Sequence, residues 1–216
     1  MKRLIALPFR KSLEIAFLSI RVRFFRSLVT TMSLVLAVAF LCFMRSSNDF
    51  AQGFLATGGV EAQQAVIQAG YDLSLTTMTI AASAKQRWLV TLSLLVCIVG
   101  IINAQLMSVT ERFREIGTMK CLGALDRFIV RLFILEASMQ GLAGSLGGAV
   151  LGLTAAAASA TLSFGPAALA AATVQPLARS VLLAVVTGTL LSLIGVIYPA
   201  IIAARMQPVE AMRVEQ

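Results

Sequence analysis

The sequence has 216 residues, of which 58% are apolar and only 13% charged, and its mean hydropathy is +0.88. The charged share is about half that of a soluble domain, which excludes a soluble globular enzyme and predicts an integral membrane protein. The chain has no histidine and no phosphate-binding P-loop motif, which excludes His-based triads, His metal sites and nucleotide hydrolysis by a P-loop.

The formal net charge is +8. In a membrane protein an excess of Lys and Arg is typical of loops kept on the cytoplasmic side, so no nucleic-acid partner is expected. Two of the three cysteines, Cys42 and Cys97, lie inside apolar stretches, and Cys121 does not. We interpret all three as small residues in a reduced or lipid environment.

Residues 1–27 are basic and predict an amphipathic helix lying in the headgroup plane on the cytoplasmic side. Its apolar stripe recurs at helical spacing: Leu13, Phe17, Ile20 and Phe24. A secretory signal peptide is the alternative, but the apolar run starts too late, near Leu28, and no small-residue cleavage pattern follows Met44. Residues 28–45 are therefore predicted as the first membrane span.

Residues 46–87 predict a short extracytoplasmic segment, too small to form a core of its own. Residues 61–68 suit one or two helical turns, and residues 71–80 suit a short strand. The rest of the chain alternates between apolar and polar stretches. It predicts a second span at 88–107, a charged cytoplasmic connector at 108–127, a third span at 128–162, an extracytoplasmic loop at 163–180, a fourth span at 181–204 and a cytoplasmic tail at 205–216.

The distribution of positive charge predicts the orientation. Placing both termini and residues 108–131 on one side collects 14 of the 18 Lys and Arg residues there. The other side keeps four: Arg45, Lys85, Arg87 and Arg179. The expected fold is an all-α membrane protein with four transmembrane helices and both termini in the cytoplasm.

The connector carries the densest charge between two apolar spans. Glu111 with Arg114, and Arg112 with Glu115, are opposite charges three residues apart on a helix. Gly117 and Gly123 permit a break and a turn around a short segment at 118–122. Its apolar members suit the groove of a partner protein: Met119, Cys121 and Leu122. An ordinary solvated loop is the alternative interpretation.

The run I-I-N-A-Q-L-M-S-V-T-E-R-F-R-E-I-G-T-M-K-C-L-G-A-L at 101–125 resembles the signature of FtsX-like permeases, the MacB-type and LolC/LolE-like membrane subunits of ABC transporters. The similarity continues through R-L-F-I-L-E-A at 131–137 and Y-P-A-I-I-A-A-R-M-Q-P-V-E-A-M-R at 198–213. The stretch at 16–31 is also similar. The match covers most of the chain outside 46–86.

This resemblance implies a cytoplasmic coupling helix between the second and third spans, and a permease pair working with two cytoplasmic ATPase subunits. Part of the signature matches the segment that leads to the coupling helix: Glu111, Arg112, Arg114, Glu115, Ile116 and Gly117. The coupling helix itself is matched by residues 119–124, which include Met119, Cys121, Leu122, Gly123 and Ala124. ATP and Mg would bind the partner ATPase, so no cofactor is expected on this chain.

The chain departs from the family pattern between its first two spans, where about forty residues replace a large extracytoplasmic domain. We expect either another protein to dock on 46–87 or a second, related permease to supply the full domain.

The third span contains a row of small residues at four-residue spacing: Gly144, Gly148 and Gly152. Such rows let helices approach closely in lipid, so they predict either a seam between two copies or packing within one bundle. Glu136, the carboxylate of this span, is expected to form an interfacial ion pair with Arg131.

The predicted function is that of a bacterial inner-membrane permease subunit. It would couple ATP hydrolysis on a separate ATPase to mechanical work on a lipoprotein, peptide, drug or periplasmic partner. A non-transporting scaffold of an envelope assembly is the alternative. A solute channel ranks last because no span carries an evident polar stripe.

Overall fold

The computed structural model describes residues 24–70, 73–74, 79–80 and 84–205. The predicted amphipathic helix at 1–27 and the tail at 205–216 lie almost wholly outside the described residues. The elements in chain order are α1 (Phe24–Gln68), β1 (Leu73–Ser74), β2 (Thr79–Ile80), α2 (Ala84–Glu111), α3 (Phe113–Cys121), α4 (Asp126–Phe164), α5 (Ala167–Ala170) and α6 (Val174–Arg205).

Four of the described helices, α1, α2, α4 and α6, are long and apolar enough to cross a membrane. This confirms the all-α membrane fold and a multi-pass chain. The two strands form a minimal antiparallel pair in which Leu73 faces Ile80. We name the two ends of the bundle by their connections: the connector end carries residues 111–126, and the hairpin end carries the strand pair β1–β2 and residues 165–173.

The helices are longer than the predicted spans. At about 1.5 Å of rise per residue, α4 with its 39 residues extends well beyond about 30 Å of hydrocarbon. The first span was predicted to end at residue 45, but α1 continues to Gln68. Tertiary packing maintains the helix here, because Ser46, Phe50 and Ala51 are buried against the rest of the chain.

The long helices form a close-packed group of three, α1, α4 and α6, with α2 lying against α6 and α1. The middle of the bundle is filled by small and branched residues that include Leu34, Val38, Ala149 and Ala184. Further apolar clusters occupy each end. At the hairpin end the rings of Phe54 and Phe164 stack with their centroids 5.1 Å apart.

The predicted glycine row lies at the seam between α1 and α4 of the same chain. A Cβ added to Gly148 would lie 2.7 Å from the carbonyl oxygen of Val35, and one added to Gly144 would lie 2.9 Å from the Leu34 side chain. A Cβ added to Gly152 would lie even closer to the carbonyl oxygen of Ala39. The α1 backbone thus fills the space that a side chain would need, so this row packs within one bundle.

Candidate functional site

The connector folds into a helix of its own. The α-helical path is interrupted at Arg112, whose φ and ψ are −90° and 6°, and α3 then runs to Cys121. It stops at Gly123, where φ is +92°, a conformation that glycine adopts without steric cost. Gly117 lies inside α3 and is buried, so the predicted break is at Arg112 and not at Gly117.

The side chain of Arg112 turns inward and forms a two-pronged ion pair with Glu136 of α4. Its Nη1 donates to Oε2 at 2.6 Å and its Nη2 donates to Oε1 at 2.7 Å. Both side chains are 8% exposed, and the guanidinium lies 5.9 Å from the centre of the Phe133 ring. The two charge-assisted hydrogen bonds offset the free energy that each charged group loses when it leaves water.

The expected ion pair between Glu136 and Arg131 is therefore wrong. Five residues along an α-helix correspond to a rotation of about 140°, which places Arg131 on a different face from Glu136. Arg131 is exposed, whereas Glu136 faces the bundle where Arg112 arrives from α2. Arg112 thus contacts another helix and not only the neighbouring charges of its own segment.

A second contact attaches the far end of α3. The ammonium of Lys120 donates to the carbonyl oxygen of Ala204, in the last turn of α6, and lies 2.9 Å from Oδ1 of Asp126. A helix leaves its last carbonyls unpaired, and a cation there also complements the helix dipole. Lys120 therefore joins α3 to the end of α6 and to the first turn of α4.

Apolar packing completes the inner face of α3. Ile116 is buried in a cluster with Val109 of α2, Ile129 and Phe133 of α4, and Ala203 of α6. Gly117 is buried beside it. Through this cluster α3 contacts both following transmembrane helices, so a displacement of α3 must move their ends or break the cluster.

The outer face of α3 combines charge with exposed apolar groups. The charged groups that face solvent are Glu111, Arg114 and Glu115, and Cys121 and Gly123 are exposed beside them. Leu122 is 88% exposed and Leu125 is 49% exposed. Met119 and Ala124 are half-buried. We call the exposed set Glu111, Arg114, Glu115, Cys121, Leu122 and Leu125 the outer face of the connector.

The predicted interface residues thus divide into two groups. Arg112, Ile116 and Gly117 contact the chain's own helices, and the others are wholly or partly accessible. Sequence reasoning included Lys120 only as part of the coupling-helix match at 119–124, and it missed Phe133 and Leu125. Lys120 stands three residues before Gly123, and a Lys in the last turn of a helix could have indicated a helix-end contact.

Comparison with known proteins places this arrangement in a family. Residues 88–208, which contain most of α2 and all of α3 to α6, match the family described as FtsX-like permease C-terminal. This chain belongs to the FtsX-like permeases. The resemblance predicted from the connector signature is confirmed.

Several relatives are about a third identical to this FtsX-like permease over the residues that align. It is 33% identical over 71% of its length to the macrolide export ATP-binding/permease protein MacB of Bdellovibrio bacteriovorus. It is 34% identical over 80% to the pyoverdine export ATP-binding/permease protein PvdT of Pseudomonas putida, and 36% identical over 57% to the ABC transporter permease YknZ of Bacillus subtilis. The chain spans 21%, 24% and 30% of the lengths of these three relatives.

Proposed function

We propose that this chain is a membrane permease subunit of an ABC transporter and transmits the movement of an ATP-binding unit across the bilayer. The observation that carries the proposal is the two-sided connector helix α3. Its inner face is attached to α4 and α6 by Arg112 and Lys120, while its outer face presents Leu122 and charged groups to solvent.

The outer face has the chemistry of a protein-docking surface. An exposed leucine next to a tight turn fills an apolar pocket of a partner, and surrounding charges set its orientation. Family membership supports an ATP-binding unit as that partner. These 216 residues contain no P-loop, so ATP and Mg would bind outside them. The relatives MacB and PvdT are named ATP-binding/permease proteins, so each name combines ATP binding with a permease.

The route of transmission follows the closest contacts in the fold. A push on α3 reaches α4 through the Arg112–Glu136 pair, and α4 shares a backbone seam with α1. The α1 helix then extends to the hairpin end, where Gly53 lies against the backbone of Ala171 and Ser180 donates a hydrogen bond to Asp49. The mechanical output would emerge at residues 46–87 and 163–180.

The proposed location is the bacterial cytoplasmic membrane, with the connector end and both termini in the cytoplasm. The clustering of 14 of 18 Lys and Arg residues supports this orientation. The partners would be an ATPase dimer, a second permease and membrane lipid, with a further protein docking on 46–87. The substrate class would be a lipoprotein, peptide, drug or periplasmic protein.

Co-purification with an ATPase tests this function. The permease is purified with an affinity tag from its native membrane in detergent, and the ATP hydrolysis rate of the preparation is measured. We expect Leu122→Glu to reduce the co-purified ATPase activity at least about tenfold, because it places a charge in an apolar contact. The control is Leu162→Glu, which changes a leucine that is also 88% exposed but lies near the hairpin end.

Equal ATPase activity in the two variants would disprove docking at the outer face. The scaffold alternative makes a different prediction: no ATPase accompanies the unaltered chain, or its rate is the same with and without the permease. Mass spectrometry of the purified complex identifies whether a P-loop protein is present.

A further inference from the structure

Two arginines at the start of α4 have no counterion within the part of the chain that the structure describes. Arg127 and Arg131 are exposed, and neither guanidinium forms an ion pair or a hydrogen bond with a described residue. The carboxylate next to them in sequence, Asp126, is engaged by Lys120 instead. We call Arg127 and Arg131 the arginine pair.

The arginine pair is electrostatically unfavourable unless an anion joins it. Its members are four residues apart on one side of a helix, where Cβ atoms lie about 5–6 Å from each other and like charges repel. Arg127 also lies in the first turn of α4, where the positive end of the helix dipole disfavours a cation. A negative group held between the two guanidiniums would remove both costs.

The arginine pair lies on the side of α4 that faces away from α3. The opposite side of α4 packs through Ile129 and Phe133 into the cluster that buries Ile116 of α3. Arg131 is two residues from both Ile129 and Phe133, and two residues of an α-helix correspond to a rotation of about 200°. The arginine pair therefore points towards the surroundings of the bundle.

An exposed tyrosine of α6 indicates the depth of the arginine pair in the membrane. Ser192 of α6 donates a hydrogen bond to the carbonyl oxygen of Ala137 of α4. The two helices run in opposite directions, so Tyr198, six residues after Ser192, lies level with Arg131, six residues before Ala137. Tyr198 is 58% exposed, and tyrosines concentrate where the hydrocarbon meets the headgroups. Arg131 is therefore at the level of the lipid headgroups.

The same side of α4 becomes apolar towards the middle of the membrane. Ile134 and Leu142 follow the arginine pair at helical spacing and are 38% and 50% exposed. A cationic level next to the headgroups followed by an apolar surface has the polarity of a phospholipid, in which a phosphate precedes the acyl chains. A soluble anion would match only the first of these two parts.

We propose that this side of α4 binds an anionic phospholipid, with the phosphate between Arg127 and Arg131 and the acyl chains along Ile134 and Leu142. Each guanidinium can donate two parallel hydrogen bonds to phosphate oxygens. Basic side chains next to a membrane span attract anionic lipids. The bound lipid would hold the start of α4 at the membrane surface. The site goes beyond the proposed function, because it needs no ATP-binding unit.

A lipid titration tests the site. The full chain is purified in detergent, washed free of native lipid and unfolded by heat at increasing phosphatidylglycerol concentrations, with the fluorescence of Trp88 as the signal. We expect a saturable rise of the unfolding midpoint, because a ligand of the folded state stabilises it. Arg127→Gln with Arg131→Gln should raise the half-saturating lipid concentration about 10- to 30-fold. Without lipid this double variant should unfold at the same temperature as the unaltered chain.

Three controls separate an anionic lipid from other ligands. Arg87→Gln with Arg179→Gln removes the same charge from two exposed arginines near the hairpin end and should leave the half-saturating concentration unchanged. Phosphatidylcholine supplies acyl chains without net charge, and inorganic phosphate supplies the anion without acyl chains. Neither should reproduce the rise. An equal loss of affinity in the control variant, or an equal rise with either of these ligands, would overturn the proposal.

Photo-cross-linking locates the bound lipid. A phosphatidylglycerol with a photoactivatable group in its acyl chain is added to the protein, and the labelled peptides are identified by mass spectrometry. We expect label on residues 134–142 of the unaltered chain, and the double variant Arg127→Gln with Arg131→Gln should lose most of it. Equal labelling of the two proteins would overturn the proposal.

ATPase co-purification, measured on the same preparations, identifies a protein as the alternative occupant. We expect the double variant to lose phosphatidylglycerol binding and to keep the co-purified ATPase. If it lost the ATPase while phosphatidylglycerol bound as it does to the unaltered chain, the arginine pair would bind a protein partner and the lipid site would be rejected.

Discussion

The α1–α4 seam and the attachment of α2 are built in opposite ways. At the seam, glycines bring two helix backbones into direct contact at Gly148 and Gly152. The α2 helix instead packs through apolar side chains, Cys97 and Ile101 among them, and polar side chains join it and the residue after it to neighbouring helices at three levels: Asn48 with Gln86, Gln105 with Gln140, and Arg112 with Glu136. Backbone contact cannot adjust without separating the helices, whereas side-chain contacts can exchange.

We propose different mechanical roles for the two regions. The α1–α4 pair would move as a rigid body that extends from the connector end to the hairpin end. The α2 helix and the connector would shift against it, and the Arg112–Glu136 pair would set how firmly they are joined. The predictions that follow test this comparison, from the largest expected effect to the smallest.

Breaking the Arg112–Glu136 pair should have the largest effect. Arg112→Ala leaves Glu136 charged and buried without its partner, which we expect to lower the free energy of unfolding by about 3–5 kcal/mol. Thermal unfolding in detergent, followed by the fluorescence of Trp88, measures this change. The matched control, Arg131→Ala, removes an exposed arginine of the same segment and should leave the unfolding midpoint unchanged.

Replacing both partners separates stability from transmission. Arg112→Leu with Glu136→Leu removes both buried charges, so most of the stability should return. ATPase stimulation by the permease should remain low, because the leucine pair has no directional contact. If stability and stimulation recover together, the ion pair is only a packing element.

Crowding the glycine seam should have an intermediate effect. Gly148→Ala would place a methyl group 2.7 Å from the Val35 carbonyl oxygen, and we expect a loss of about 1–3 kcal/mol in unfolding free energy. Gly147→Ala makes the same change one residue away, where the nearest atom is 3.8 Å from the added carbon. The thermal midpoints of the two variants are compared. If Gly147→Ala had the lower thermal midpoint of the two, the closest contact between the α1 and α4 backbones would not lie at Gly148.

Removing the Lys120 contact should have the smallest effect. Lys120→Met keeps the length of the side chain but removes the charge that meets the Ala204 carbonyl and the Asp126 carboxylate. We expect a loss of about 1 kcal/mol, typical of a charge at a helix end. Arg127→Met serves as the control because Arg127 is exposed. Identical denaturation curves for the two variants would contradict the attachment of α3 to α6.

Much of the fold was predictable because its signals are local. Apolar length identified the four spanning helices, and the positive φ of Gly123 occurs where the turn was expected. The family was recognised from one continuous charged stretch between two spans. The helix ends were less predictable, since α1 passes through a polar stretch that only packing can stabilise.

The sequence indicated where along the chain the candidate site lies, but not which residues contact each other in it. The sequence predicted a docking surface on the connector with Leu122 in it, and in the structure Leu122 is exposed there. From the sequence we predicted an ion pair between Glu136 and Arg131, because only the distance along the chain was known and Arg131 is close to Glu136 in sequence. The actual partner, Arg112, is 24 residues away and reaches Glu136 through the break after α2.

By itself the sequence determined the class of this protein, the number of its spans and the charged connector between the second and third of them. Those properties depend on the transfer of apolar segments from water and on local charge, which each segment carries independently of the others. The tertiary structure alone decided that the glycine row faces α1, that Arg112 and Lys120 attach the connector to α4 and α6, and that the arginine pair faces away from α3. Each of these depends on how helices distant in sequence rotate about their own axes, and that rotation is set only when the helices pack together.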